Sequence, residues 1–516
     1  MSARRTRLAA ASATAVLLPL LGAGVAGAAP DAAPVAGAAG IGDPYYPTYG
    51  NGGYDVQHYD LAVRYDPATD RLAGRARIDL RTTQALSSFH LDLVGLTVRA
   101  VTVGGAPATW VRRGGHELVV RPARALARGA AVTVDVRYDG VPRSFTDGSG
   151  ETYGFLTTRD GAVAIGEPEA AAQWFPVDDH PSDKATYRLA LTVPKGLETI
   201  SNGLDTRRTV DGDWATTTWE PAAPMAPYLA FFAIGHFDVH RWRTAAGLPV
   251  IDAVDSRIQG PLRARIDATF ARQGEVLAAE ASWFGPYPFE TAGGVVDADA
   301  VDYALENQTR PTYPAYVWED PQSPTQGTDV VVHELAHQWY GDSVSLDRWS
   351  DIWLNEGFAT YAEWLWNERE FGYTPQEQFD VFYAEPASSD SWTTTPQDPG
   401  VADLFSSAVY VRGAMTLQAL RATVGDAVFF DVLRSWAGTR RDGNGTTAQF
   451  VALAERKAGR PLDALFRAWL STPRKPGPLP TAATTPARSA EVTGAVQAWR
   501  AALDRRLTRE AAATQR

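Results

Sequence analysis

Two histidines four residues apart, with a glutamate directly after the first, give the chain its clearest chemistry. The stretch is Val330-Val331-Val332-His333-Glu334-Leu335-Ala336-His337-Gln338-Trp339. On a helix, residues i and i+4 share a face, with Cβ atoms about 5–6 Å apart. His333 and His337 can therefore both reach one divalent ion. Glu334 projects beside that ion without ligating it and can accept a proton from water. A hydrolytic zinc site takes three protein ligands and keeps one position open. Eighteen residues beyond His337 lies Glu356, inside Trp353-Leu354-Asn355-Glu356-Gly357-Phe358-Ala359. Two antiparallel helices joined by a loop of that length aim Glu356 back at the imidazole pair. His, His and Glu are a donor set suited to zinc, so one Zn2+ per chain is expected. The chain has only 8 histidines, which makes this spacing hard to reach by chance. His180, His236 and His240 have no such spacing and read as structural.

The elements that must position these residues follow from periodicity and breakers. Apolar spacing predicts helices over 263–283, 329–339, 355–371, 409–424 and 448–458. Thr328 or Asp329 is the expected cap of the second, and Gly341 its end. Residues 51–240 read instead as short strands between Gly and Pro breakers. Tyr187, Leu189, Leu191 and Val193 alternate with polar or small neighbours up to Pro194, the pattern of a half-buried strand. The fold class expected is multidomain α+β: an all-β N-terminal domain over 51–240, then a mostly α catalytic domain over 241–472. Residues 473–488 are rich in Pro, Thr and Ala and read as a linker. Residues 489–516 carry Val492, Val496, Trp499, Leu503 and Leu507 at helical spacing and read as a C-terminal amphipathic helix. Trp339, Trp349, Trp353, Trp364 and Trp366 read as core.

Length and composition narrow the class. The chain has 516 residues, 45% hydrophobic and 21% charged, the range of ordinary globular domains. Arg4, Arg5 and Arg7, an apolar run to Val25, and Ala26-Gly27-Ala28 read as a secretory signal peptide over 1–28. Its removal takes the net charge from −12 to about −15 and places the protein outside the cell. Residues 29–50, rich in Ala, Pro and Gly, read as a flexible leader. No later stretch approaches 18 apolar residues, so no transmembrane segment is expected in the mature chain. The absence of cysteine excludes disulfides, thiolate metal sites and a cysteine nucleophile. The acidic balance argues against nucleic acid as a partner.

His333-Glu334-x-x-His337, eighteen residues, and Glu356 within Trp-Leu-Asn-Glu-Gly-Phe-Ala resemble the aminopeptidase N family of gluzincin zinc metallopeptidases, which also contains leukotriene A4 hydrolase. The likeness extends over about residues 45–472. It implies a saddle-like β domain followed by a thermolysin-like catalytic domain. It also implies that the family's large helical-repeat domain has no counterpart in the short C-terminal segment. Tyr303-Ala304-Leu305-Glu306-Asn307 resembles the family's Gly-x-Met-Glu-Asn segment, with Tyr303 for Gly and Leu305 for Met. The resemblance implies that Glu306 binds the substrate's α-amine and that Ala304 lines the substrate beside it. Tyr410, in Val409-Tyr410-Val411-Arg412-Gly413-Ala414, matches a family tyrosine that donates a hydrogen bond to the oxyanion; Arg412 stands where Lys is usual and keeps its charge. Glu167, fourteen residues before Pro181 of Trp174-Phe175-Pro176-Val177-Asp178-Asp179-His180-Pro181, matches a second amine ligand, with Glu169 a weaker candidate. Glu363 lies on the same helical face as Glu356, either as a partner of a zinc-bound histidine or as a surface acid.

The expected function is zinc-dependent removal of N-terminal residues from peptides with a free N-terminus. Two alternatives stand beside it. One is an endopeptidase or epoxide hydrolase on the same metal, which a buried Glu306 awaiting an ammonium disfavours. The other is a non-catalytic peptide-binding protein, which an intact Glu334 disfavours.

Overall fold

The computed structural model describes residues 33–146, 152–299, 302–321 and 327–479, together with 323, 325, 494, 496 and 497. The expected signal peptide lies outside the described residues, as do most of the linker and C-terminal helix. Of that last segment Val496 is helical and buried.

The N-terminal part is built from strands. An eight-stranded sheet runs in the order Leu204–Asp211, Trp214–Glu220, Thr186–Pro194, Tyr54–Asp66, Arg71–Thr82, Ala131–Gly140, Thr97–Val103 and Ala106–Pro107. Tyr54–Asp66 alternates buried and exposed residues along most of its length, so one face meets the core and the other meets water. Thr186–Pro194 lies parallel to it and ends at Pro194, as the sequence predicts. A five-stranded sheet includes Thr152–Thr157, Ala162–Ile165 and Phe232–Gly235. A four-stranded sheet joins Val35–Ala36, Leu86–Asp92, Glu117–Arg121 and Thr109–Arg113.

Residues 33–50 depart from the flexible leader that composition suggests. Val35–Ala36 pairs in parallel with Leu86–Asp92. The buried Asp43 accepts from the Trp349 backbone N–H at 2.9 Å and lies 3.2 Å from His180 Nε2. Tyr45 Oη accepts from Gly400 N at 2.8 Å. Glycine raises the backbone entropy cost of ordering, but a few well-placed polar and aromatic side chains offset it. The segment is a strap that touches both halves of the molecule.

The second half holds a four-stranded sheet, Phe237–Arg243, Pro249–Asp255, Ala292–Asp297 and Thr312–Pro314, and a set of helices. These are α1 (Gly260–Phe270), α2 (Gln273–Phe284), α3 (Thr328–Ala336), α4 (Trp353–Phe371), α5 (Pro375–Tyr383), α6 (Gly413–Val424), α7 (Asp426–Thr439) and α8 (Thr447–Ala458). The single helix predicted over 263–283 is broken into α1 and α2. Arg272 N donates to Thr269 O, three residues back, and the turn lets Gln273 Nε2 reach Asp252 at 2.7 Å. α3 starts after Gly327, whose left-handed φ of 81° suits glycine, so neither Thr328 nor Asp329 is its cap. α4 ends at Gly372, again left-handed. α8 opens with a capping box between Thr446 and Gln449.

The core of this half is aromatic. Phe358 on α4 packs on Tyr340 and Trp353, and on Phe450 of α8, with ring centroids at 4.6, 5.8 and 5.2 Å. Truncating such a buried ring to alanine costs about 3–5 kcal/mol. The tryptophans at 339, 349, 353, 364 and 366 are all buried. α4 and α6 cross at two glycines: a Cβ on Gly357 would lie 2.9 Å from Gly413 backbone atoms. That close approach holds the segment before α6 against the start of α4. No described helix is long and apolar enough to cross a membrane.

Candidate functional site

α3 and α4 bring the three expected metal-binding residues together. His333 Nε2 lies 3.1 Å from Glu356 Oε2, and His337 Nε2 lies 3.5 Å from the same oxygen. All three residues are buried. The other ring nitrogens fix the rings: His333 Nδ1–H donates to Glu363 Oε1 at 2.6 Å, and His337 Nδ1–H donates to Tyr340 O at 3.0 Å. Both tautomers are thereby set so that Nε2 faces Glu356. Glu363 is buried and belongs to the site, not to the surface. Burial pushes the Glu356 carboxyl up, but the facing imidazoles of His337 and His333 outweigh it and hold the carboxyl down to about 2. Burial pulls the His337 imidazole down, yet Glu356, Glu306 and Glu334 together raise it well above its ordinary value.

A cation fits this place. The donor atoms lie within 4.8 Å of one another, and two of the pairwise distances are 3.1 and 3.5 Å. Donors about 2.0–2.2 Å from one zinc ion can lie no more than about 4.4 Å apart. Four carboxylates, Glu306, Glu334, Glu356 and Glu363, are buried around two imidazoles, an excess of negative charge that a divalent ion offsets.

Glu334, Glu306 and His337 form a second group within 4.8 Å. Glu334 is thus beside the metal-binding trio, and Glu306 lies near both Glu334 and His337. The Glu306 segment runs along the sheet edge, where Leu305 N and O exchange hydrogen bonds with Thr312 at 2.9 and 2.8 Å. Gln338 Nε2 donates to Glu306 O at 3.0 Å, and Tyr228 Oη donates to Glu306 Oε1 at 3.0 Å. Burial raises the Glu306 carboxyl, and Glu356 adds to it, while His337 opposes. Tyr228 carries no sequence signal, being 78 residues away from Glu306 in the chain. Glu167 is buried, and its charge, after burial and that of Glu306, keeps the proton on Tyr228. Glu169 is buried too and accepts from Tyr153 Oη at 3.3 Å. Ala304 is half-buried.

Tyr410 sits in a π-helical turn, Ala408–Arg412, directly before α6. Its ring lies 5.8 Å from that of His333, tilted by 19°. Single π turns recur at functional sites, and here the Gly357–Gly413 contact fixes where the turn sits. Arg412 does not present its charge to the site. It donates to the carbonyls of Trp469, Trp392, Thr394, Ala468 and Thr472, so it ties the C-terminal end of the domain together.

Comparison with known proteins agrees with this geometry. Residues 270–469 match the model of the peptidase family M1 domain, and residues 55–229 match that of the peptidase M1 N-terminal domain. The chain is 24% identical over 450 residues to aminopeptidase M1 of Arabidopsis thaliana, spanning 80% of this chain and 50% of that one. It is 25% identical over 453 residues to glutamyl aminopeptidase of Sus scrofa, spanning 80% and 46%. The chain thus spans about half the length of these curated relatives. Among solved structures, the M1 zinc metallopeptidase of Deinococcus radiodurans superposes with a TM-score of 0.77 at 29% identity, covering 87% of this chain and all of that one. A mutant of the same protein was solved bound to a Tyr-Ser-Ala substrate, with a TM-score of 0.76 and 28% identity, over 86% of this chain and 99% of that one.

Proposed function

This chain belongs to the peptidase M1 family, and from that premise we propose that it is a zinc-dependent aminopeptidase of peptides with a free N-terminus. The carrying observation is that Glu306, Glu334 and His337 converge within 4.8 Å, beside the His333–His337–Glu356 cluster. His333, His337 and Glu356 would hold one Zn2+. Bound there, zinc supplies a Lewis acid that polarises the scissile carbonyl and makes water a nucleophile at neutral pH.

The remaining chemistry belongs to the chain. Glu334 takes the proton from the attacking water and returns it to the leaving amine. Tyr410 Oη donates a hydrogen bond to the carbonyl oxygen as charge builds there. Glu306 and Glu167 pair with the substrate's α-ammonium, and the Tyr228 hydroxyl orients Glu306. Anchoring the N-terminus next to Glu334 sets the scissile bond one residue in, which is what makes the cut exopeptidic. The buried Glu306 carboxylate disfavours a neutral amide in the ammonium's place, and so disfavours an internal cutter. The signal-like pattern over 1–28 supports secretion as part of the same reading.

The test compares an unblocked amino-acyl anilide with its N-acetylated twin. Cleavage of only the unblocked form, stopped by a chelator, is expected. Equal cleavage of both would contradict the exopeptidase reading.

A further inference from the structure

A second imidazole–carboxylate cluster lies in the N-terminal β domain. Asp92 and Glu117 are directly opposite in the antiparallel pair Leu86–Asp92 and Glu117–Arg121, so their side chains leave one face of the sheet. His116 Nε2 is 3.9 Å from Asp92 Oδ1 and 3.9 Å from Glu117 Oε1. It is 2.8 Å from Thr48 O. Asp92 is fully buried, and neither Asp92 Oδ1 nor Glu117 Oε1 has a hydrogen-bond donor.

The second oxygen of each acid is engaged and fixes its aim. Asp92 Oδ2 accepts from Gly50 N, Asn51 Nδ2 and Asp179 N at 3.2, 2.9 and 3.0 Å. Glu117 Oε2 lies 2.6 Å from His90 Nδ1. Tyr49 stacks on the His116 ring, with centroids 4.2 Å apart and planes 5° from parallel. Two buried carboxylates thus each turn one bare oxygen toward the same imidazole nitrogen.

We propose that Asp92, His116, Glu117 and the Thr48 carbonyl form a second binding site for a zinc-class divalent ion. Leaving a buried acceptor unsatisfied costs about 1–3 kcal/mol, and more for a charged one. At 3.9 Å the imidazole is too far to satisfy either oxygen by a hydrogen bond. Both separations lie inside the limit of about 4.4 Å for two donors on one zinc. One nitrogen and three oxygens suit zinc better than calcium, which takes six to eight oxygens. Without an ion, Nε2 carries the proton it donates to Thr48 O. On uptake the neutral imidazole carries that proton on Nδ1 instead, the freed Nε2 lone pair binds the ion, and Thr48 O becomes the fourth donor. The ion would pin residues 48–51, the end of the strap, to the β domain.

The test uses the full mature chain, stripped with a chelator, dialysed against zinc and analysed for bound metal. About two zinc equivalents are expected in the wild type. His116→Gln should hold about one and keep full anilide turnover, and Glu117→Gln should behave alike. His337→Gln should also hold about one. A His337→Gln chain that binds no zinc would overturn the site. So would a folded, active His116→Gln chain with the wild-type zinc content. If the two strand-site variants fail to fold, the zinc content of His337→Gln alone decides.

Discussion

The two imidazole–carboxylate clusters differ in what builds them. At the helix site, two histidines one turn apart supply two of the three protein ligands from a single element, and partners on their Nδ1 atoms lock both rings. Its donor atoms approach to 3.1 and 3.5 Å. At the strand site, ligands come from a cross-strand pair and a strap, with 3.9 Å separations and an imidazole nitrogen that still hydrogen-bonds to Thr48. The helix site is pre-organised for an ion, with Glu334 and Glu306 beside it. The strand site is looser, with 3.9 Å separations against 3.1 and 3.5 Å, and the group it forms has no further carboxylate in the place Glu334 takes. A shared residue chemistry therefore yields a reaction centre in one place and a fastening in the other.

The contrast can be broken by experiments of decreasing effect. Glu334→Gln is expected to remove about 10²–10⁴-fold or more of turnover while zinc stays bound; substantial residual activity would erase the functional difference between the sites. Tyr410→Phe should lower kcat by about 10²–10³-fold, the usual range for one oxyanion donor, with KM little changed. Glu363→Gln should weaken zinc binding at the helix site by about 10–100-fold, measured by competition with a chelator, and leave the strand site untouched. Glu306→Ala should raise KM for the unblocked anilide by about tenfold, or 1.4 kcal/mol, which initial-rate kinetics would read.

The smallest effect on turnover is expected at the joint between the halves. Lys184 Nζ donates to Asp342 O and Ser343 O at 2.6 and 3.0 Å. Burial pulls its ammonium down to about 8. The unfolded chain therefore holds this proton to higher pH than the folded one, so the group's contribution to stability rises with pH between about 8 and 10.5. Relative to the wild type, Lys184→Met should lose that alkaline gain, about 3 kcal/mol, in denaturant titrations across the range.

Legibility followed sequence distance. His333, Glu334, His337 and Glu356 are visible because their spacing is a helical one plus a short return. The strand pattern of the first half and the helices of the second are visible for the same local reason. Tyr228 is invisible because an isolated tyrosine has no period, and only the fold sets it against Glu306. Asp92 and His116–Glu117 become neighbours through strand register, which hydrophobic alternation does not reveal. The strap misleads because its Ala and Gly content hides Asp43 and Tyr45, whose partners lie hundreds of residues away. Arg412 keeps its charge in sequence yet spends it on carbonyls, a fact of packing alone.

The most direct measurement is zinc content in a His116→Gln background, where only the helix site remains. There the chain should hold about one zinc, and adding Glu356→Ala should bring bound zinc close to zero, with the fold retained by circular dichroism. Retention of a full equivalent without the Glu356 carboxylate would contradict the assignment of that residue with His333 and His337 as the metal's ligands.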